Sequence, residues 1–168
     1  MDPAREQVAL LDAERRVTGS ASRARVRAEN LRHAATSIVV RNLAGEVFVH
    51  RRTPTKDVYP GLLDFAAGGV LGCGELPDDG ARRELAEELG IGDVPLRPAG
   101  VAAYADAYTR YWAYRYTVHW DGPLRLQAEE ISSGEWLAPE QLRERIQRSP
   151  RDFVPDSLAL WPCWSSLG

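Results

Sequence analysis

The segment spanning residues 68–91, GGVLGCGELPDDGARRELAEELGI, constrains this chain more than any other. Pro77, Asp78, Asp79 and Gly80 read as a helix entrance, where Asp78 or Asp79 can cap free backbone N–H groups. Gly90 reads as the matching stop. At about 100° per residue, Ala81, Leu85 and Leu89 form one apolar stripe, and Glu84, Glu87 and Glu88 fall together in an adjacent arc. Three carboxylates crowded this way repel one another. Glu87 and Glu88 also stand at the negative end of the helix dipole, where acids are disfavoured. A random acidic triplet is most often a solvated face. This one is unfavourable twice over, which invites a compensating cation. Hard oxygen ligands suit Mg²⁺, which keeps several waters and bridges to substrate phosphates.

The rest of the chain supplies a setting for that helix. Residues 8–11 and 17–21 read as two short strands that pair, and residues 23–33 as a basic, polar helix or connector. Residues 37–40 and 47–49 are β-branched runs joined through Asn42, Leu43, Ala44 and Gly45, the pattern of a hairpin. A loop with two prolines and a glycine follows at 53–61, then an apolar return at 62–67. Strands are expected at 94–104, 111–120 and 135–137, a helix at 139–148, and an apolar, Trp-rich short helix at the end, 155–167. Strands and helices mix without regular alternation. The expected class is therefore α/β or α+β, with a mixed sheet between helices.

Composition narrows the functions. The 168 residues favour a single domain, 1–168, with room for a core. The formal net charge is −3, so no broad basic surface draws the chain to a nucleic-acid polymer or a membrane. A small anionic substrate then needs local cations or metal. Cys73 and Cys163 have no metal-type spacing, and the first sixteen residues hold no long apolar run. A reduced cytoplasmic protein without a signal segment or bilayer span is expected, as a monomer or homodimer.

Residues 69–91 resemble the Nudix box of the MutT-like hydrolases. That pattern is Gly, five residues, Glu, seven residues, Arg-Glu, an aliphatic, any residue, Glu-Glu, any residue, Gly, an aliphatic. Gly69, Glu75, Arg83, Glu84, Leu85, Glu87, Glu88, Gly90 and Ile91 fill its places. Seven identities at average residue frequencies arise by chance at roughly one start position in 10⁸. The resemblance implies the Nudix fold, with Glu84, Glu87, Glu88 and the Gly68 carbonyl holding Mg²⁺, for which Mn²⁺ can substitute. It implies that Gly69, Glu75, Arg83 and Gly90 support the loop–helix geometry.

The stretches LRHAATSIVV (31–40) and HRRTPTKDVYPG (50–61) are similar to isopentenyl-diphosphate isomerase and the bacterial Nudix proteins around it. The residues matching its diphosphate contacts are Arg52 and Lys56, suited to phosphate as a planar fork and a point charge. The alternative makes both solvated loop cations. Where the isomerase needs a Cys this chain has Gly68, where it needs a metal-binding His it has Val70, and of its two paired acids only Glu130 is matched, with Ala128 at the other place. His33 matches an isomerase ligand, or is a structural histidine at the start of a strand.

The catalytic set is therefore that of a hydrolase cutting the diphosphate linkage of a nucleoside di- or triphosphate or a related derivative. The metal neutralises the diphosphate and lowers the pKa of the attacking water, and Glu84 or Glu130 is the candidate base. The runners-up are an isomerase-like enzyme and a non-catalytic nucleotide-binding protein. Among the aromatic residues of 104–120, Trp112, Tyr114, Tyr116 and Trp120 share one strand face, which either packs in the core or offers a surface to a nucleobase.

Overall fold

The computed structural model describes residues 2–162. At its centre is β3 (His33–Arg41), buried at every position. Alternate side chains of a strand point to opposite faces, and here both faces are covered. Val39 packs with Val47, Val49, Phe65 and Trp161 on one side. Ile38 and Val40 pack with Phe48, Leu85, Leu89 and Val118 on the other. Two polar residues of this strand are satisfied where they lie. Ser37 Oγ accepts from Trp161 Nε1 at 2.8 Å, and Thr36 Oγ1 accepts from the Gly69 N–H at 3.3 Å.

The expected hairpin between β3 and β4 (Val47–Arg52) turns through Gly45 at φ 80°, pairs at Arg41 and Val47, and then opens. Beyond that point β3 runs parallel to β7 (Arg110–His119), from His33 opposite Tyr111 to Arg41 opposite His119. The other strand, β4, turns to β5 (Leu63–Asp64) and β8 (Ile131–Leu137), both antiparallel. A hairpin with β7 places β6 (Arg97–Ala105) at the edge. The result is a mixed sheet ordered β5-β4-β3-β7-β6, with β8 on β4.

Helices close both faces, as expected. On one face α2 (Pro77–Glu84) continues into a π-helical turn, Leu85–Leu89, and packs by Ala81, Leu85 and Leu89, all fully buried. On the other, α3 (Pro139–Arg148) and α4 (Pro155–Leu160) bury Leu142 and Leu160. Each such leucine contributes roughly 1.5–3 kcal/mol of burial. Asp78 and Asp79 do not cap α2. Pro77 lacks an N–H and suits the first helical position, so the cap position falls to Leu76. Both acids then lie in the first turn, where the dipole favours them. Asp78 Oδ1 accepts the Tyr116 hydroxyl at 2.6 Å instead.

The amino-terminal part pairs β1 (Gln7–Leu11) with β2 (Val17–Ser22) antiparallel, and α1 (Arg23–Ala28) follows. Val8, Ala21 and Val26 pack on Val70 of the glycine-rich loop. At the other end the expected short helix forms as α4 but stops at Leu160, while residues 163–168, with Cys163, lie outside the described residues. No helix among the described residues is long and apolar enough to cross a membrane.

Candidate active site

Two adjacent glycines set the floor of the site. Gly68 holds φ 137°, a backbone state that side chains rarely adopt, and a Cβ there would overlap the Thr36 carbonyl oxygen of β3. Its N–H donates to Glu88 Oε2 at 3.2 Å. The Gly69 carbonyl accepts the Thr36 N–H at 2.9 Å, and a Cβ at Gly69 would stand 2.5 Å from Glu84 Oε1. The absence of side chains lets both carboxylates press against the loop.

Arg83 ties that loop to the helix. Its guanidinium grips Glu75 with two bonds of 2.7 and 3.0 Å, and it reaches the Val70 carbonyl at 3.3 Å. Glu75 in turn accepts the Gly72 N–H at 2.8 Å. The same guanidinium donates to Glu84 at 2.6 Å and to Glu87 at 3.3 Å. Hydrogen bonding to Arg83 holds the Glu75 carboxyl below its usual range, and bonding to Glu75 raises Arg83. At the far end Gly90 adopts φ 68°, and the Ile91 N–H closes on the Leu85 carbonyl at 3.1 Å.

The three glutamates of the arc differ in environment. Glu84 and Glu88 are 8% and 7% exposed, while the Glu87 side chain is 52% exposed. Burial pushes the Glu88 carboxyl up to about 8, and the neighbouring Glu84 charge adds to the rise. Burial also raises Glu84, against the opposing pull of Arg83. Among the described residues, no three His, Cys, Asp or Glu side chains converge on one point, and Arg83 donates to both Glu84 and Glu87. The donor set nevertheless fits a hard divalent cation: two buried, mutually repelling carboxylates, a third at the rim, and oxygen atoms throughout.

Cations line the same cleft. The Lys56 ammonium pairs with the Glu130 carboxylate at the wall of a cleft of about 680 Å³, whose lining also includes Gly68, Glu84, Glu87 and Glu88. Arg52 lines an adjoining pocket that shares Lys56, Gly68 and Gly69 with the cleft. Its guanidinium donates to the Val58 carbonyl at 2.9 and 3.2 Å and stands 3.8 Å from Asp64 Oδ2. Both side chains are largely buried, so neither is a solvated loop cation. Burial lowers the Lys56 ammonium, and the Arg52 charge lowers it further.

Comparison with known proteins decides the family: residues 31–157 match the NUDIX domain. The chain belongs to the Nudix family. It is 42% identical over 159 residues to the Nudix hydrolase YfcD of Escherichia coli (strain K12), covering 95% of this chain and 86% of that one. It is 44% identical over 153 residues to the Nudix hydrolase PA4841 of Pseudomonas aeruginosa, covering 91% and 89%. The solved structure of DR0079 from Deinococcus radiodurans superposes with a TM-score of 0.77 at 27% identity, over 95% of this chain and 99% of that one. The MutT protein of Methanosarcina mazei Go1 shares the fold, with a TM-score of 0.59 at 23% identity over 72% and 94%.

This Nudix protein is thus an enzyme of the pyrophosphohydrolase class, and the family generally uses divalent metal ions and small-molecule substrates. The isomerase reading meets a steric obstacle. The backbone at Gly68 has no room for the Cys that reading needs, and Val70 is buried among Val8, Ala21 and Val26. His33 is buried with Nδ1 2.9 Å from the Leu31 carbonyl, and burial lowers its pKa to about 4, as befits a neutral structural histidine. The aromatic face of β7 packs inward. Tyr116 is buried, and Trp112, Tyr114 and Trp120 lean on the same clusters.

Several site residues escaped the sequence reading. The adjoining pocket is also lined by Asp64, Asp156, Tyr111 and Ser157. Asp64 accepts from Ser157 Oγ at 2.6 Å, and Asp156 accepts from the Tyr111 hydroxyl at 2.7 Å. Burial, then the Asp64 charge, lifts Asp156 to about 6. One signal was present for Asp64: a lone acid inside the apolar run LLDFAA. For Arg23 and Arg27, also at the site, the signal was their four-residue spacing in a basic segment.

Proposed function

We propose that this enzyme hydrolyses the diphosphate linkage of a nucleoside di- or triphosphate, or of another nucleoside diphosphate derivative, with Mg²⁺ as its metal and Mn²⁺ able to substitute. One observation carries the reading: a single cleft is lined by Glu84, Glu87 and Glu88 together with the buried cation Lys56, and Arg52 lines the adjoining pocket. The acids suit a metal ion, and the cations suit phosphate oxygens.

Glu84, Glu87, Glu88 and the Gly68 carbonyl are the residues to hold the ion. Bound there, a divalent ion neutralises phosphate charge and lowers the pKa of the attacking water. Arg52 and Lys56 hold the diphosphate. In the free protein Lys56 is paired with Glu130. As Lys56 turns to phosphate, Glu130 loses its counter-ion and is freed to take a proton from water. Glu84 is less suited to that task, since Arg83 holds its carboxylate at 2.6 Å. Gly69, Glu75, Arg83 and Gly90 keep the loop and helix in register, and residues 1–168 act as one domain.

A phosphate-release screen with Mg²⁺, across nucleotides with different bases and across isoprenyl diphosphates, tests the function. Release from a nucleoside diphosphate derivative is expected, with no exchange between isopentenyl and dimethylallyl diphosphate. Exchange above background, or no release from any nucleotide, contradicts it. Titration of Mg²⁺ should shift the amide resonances of Gly68 and residues 84–88, and unmoved resonances at saturating metal would remove the ligand assignment.

A further inference from the structure

The Nudix match begins at residue 31, yet Arg23 and Arg27 of α1 line both the cleft and the pocket behind it. They stand four residues apart, so one helix face carries both. Ser22 starts that helix by accepting the Arg25 N–H at 3.3 Å. The helix is fixed to the glycine-rich loop. Val26 is buried against Val70, and the Cys73 N–H donates to the Gln7 carbonyl at 2.8 Å. The amino-terminal unit therefore rides on the same loop that places Gly68 and Gly69.

The two arginines differ in how firmly they are held. Arg27 Nε donates to Asp57 at 2.9 Å and Nη1 to Thr109 Oγ1 at 3.2 Å. The ion pair of Arg23 is looser, with Nη1 3.7 Å from Glu6. Arg23 lines the same cleft as Glu84, Glu87 and Glu88. A cation held this loosely, in a cleft that it shares with the metal-binding glutamates, is placed for an anion bound there.

We propose that Arg23 and Arg27 are phosphate-binding residues that grip the substrate's diphosphate together with Lys56, which makes the amino-terminal unit part of the active site. The inference rests on the diphosphate reading of the cleft. A contact to phosphate carries no information about the remainder of the substrate, so its loss weakens every diphosphate alike.

The test titrates inorganic pyrophosphate into the full chain by calorimetry, with Mg²⁺ and again with a chelator. Losing one charge-assisted contact weakens binding by about ten- to a hundredfold. Arg23→Ala is expected to do so with an unchanged melting temperature, because its ion pair is loose. Arg27→Lys keeps the charge while removing the fork, and is expected to weaken binding less than Arg27→Ala. Arg25→Ala, on the same helix but paired with Glu29 at 2.9 Å, is expected to bind like the wild type. The proposal is overturned if Arg23→Ala and Arg27→Ala both bind within twofold of wild type, or if wild type binds no pyrophosphate in either condition. Weakened binding in a protein that hydrolyses no nucleotide would leave this phosphate site standing and remove the proposed function instead.

Discussion

Gly69→Ala separates the fold from the chemistry. Gly69 does not sit in the left-handed region, so alanine is conformationally allowed there. The added Cβ would stand 2.5 Å from Glu84 Oε1 and 2.7 Å from its Cδ, whereas ordinary contact begins at 3.4 Å. The carboxylate must therefore withdraw by about 1 Å. It is the far end of a side chain and can move. Alanine gains about 0.4–1 kcal/mol by restricting the unfolded chain, and crowding costs about 1–3 kcal/mol. The net change in stability should be no more than about 2 kcal/mol. Displacing a metal-binding group by about 1 Å should cost roughly a hundredfold in turnover. Gly68→Ala gives the contrast. Its Cβ meets the Thr36 carbonyl, a backbone atom of the central strand, at φ 137°, so the loss should be about 3 kcal/mol or more. Urea unfolding and steady-state kinetics on both variants decide the matter. If Gly69→Ala retains activity within threefold, the position of the Glu84 carboxylate does not govern catalysis and the reasoning fails.

Leu85→Ala empties a fully buried site between α2 and the sheet and should cost about 2–5 kcal/mol in urea unfolding; a loss under 1 kcal/mol would mean that the helix is held by something else. Lys56→Ala should raise KM about five- to a hundredfold for every diphosphate substrate with little change in stability, whereas Arg52→Ala should also destabilise by about 1–3 kcal/mol, because it orphans the buried Val58 carbonyl. Equal melting temperatures for the two variants would contradict the placement of Arg52. Burial raises Glu88 from 4.5 to about 8, so the folded state holds that proton more tightly than the unfolded chain does. The metal-free protein should therefore lose stability as pH rises through this window, and stabilisation by Mg²⁺ should grow over the same range. Glu88→Gln should flatten that profile, and a flat profile in the wild type would contradict the burial of Glu88.

The site helix was legible because spacing alone carries it: Ala81, Leu85 and Leu89 are buried as a regular helix requires, with Glu84 and Glu88 beside them. The π-helical turn at Leu85–Leu89 was not legible, because it closes around the Gly90 stop and no residue type encodes it. The strand pattern was read well, but the hairpin between β3 and β4 opens after one pair because each strand finds a better partner far along the chain, β7 and β8. Local sequence holds no record of such pairings. Arg52 and Lys56 were located by resemblance, while their burial depends on Asp64, Val58 and Glu130, which come together only in the fold. The aromatic face of β7 could have served a base or the core, and α2 beneath it decides for the core.

The central claim is that Glu84, Glu87 and Glu88 serve a metal ion that drives diphosphate hydrolysis. Glu87→Gln tests it most directly, because this side chain is half exposed and makes its contact in the arc through Arg83, so the fold does not depend on its charge. Phosphate release from a nucleoside diphosphate derivative should require Mg²⁺ in the wild type, and turnover should fall at least about a hundredfold in the variant with its melting temperature preserved. Release that continues in a chelator, or a folded variant within a few-fold of wild type, would contradict the account.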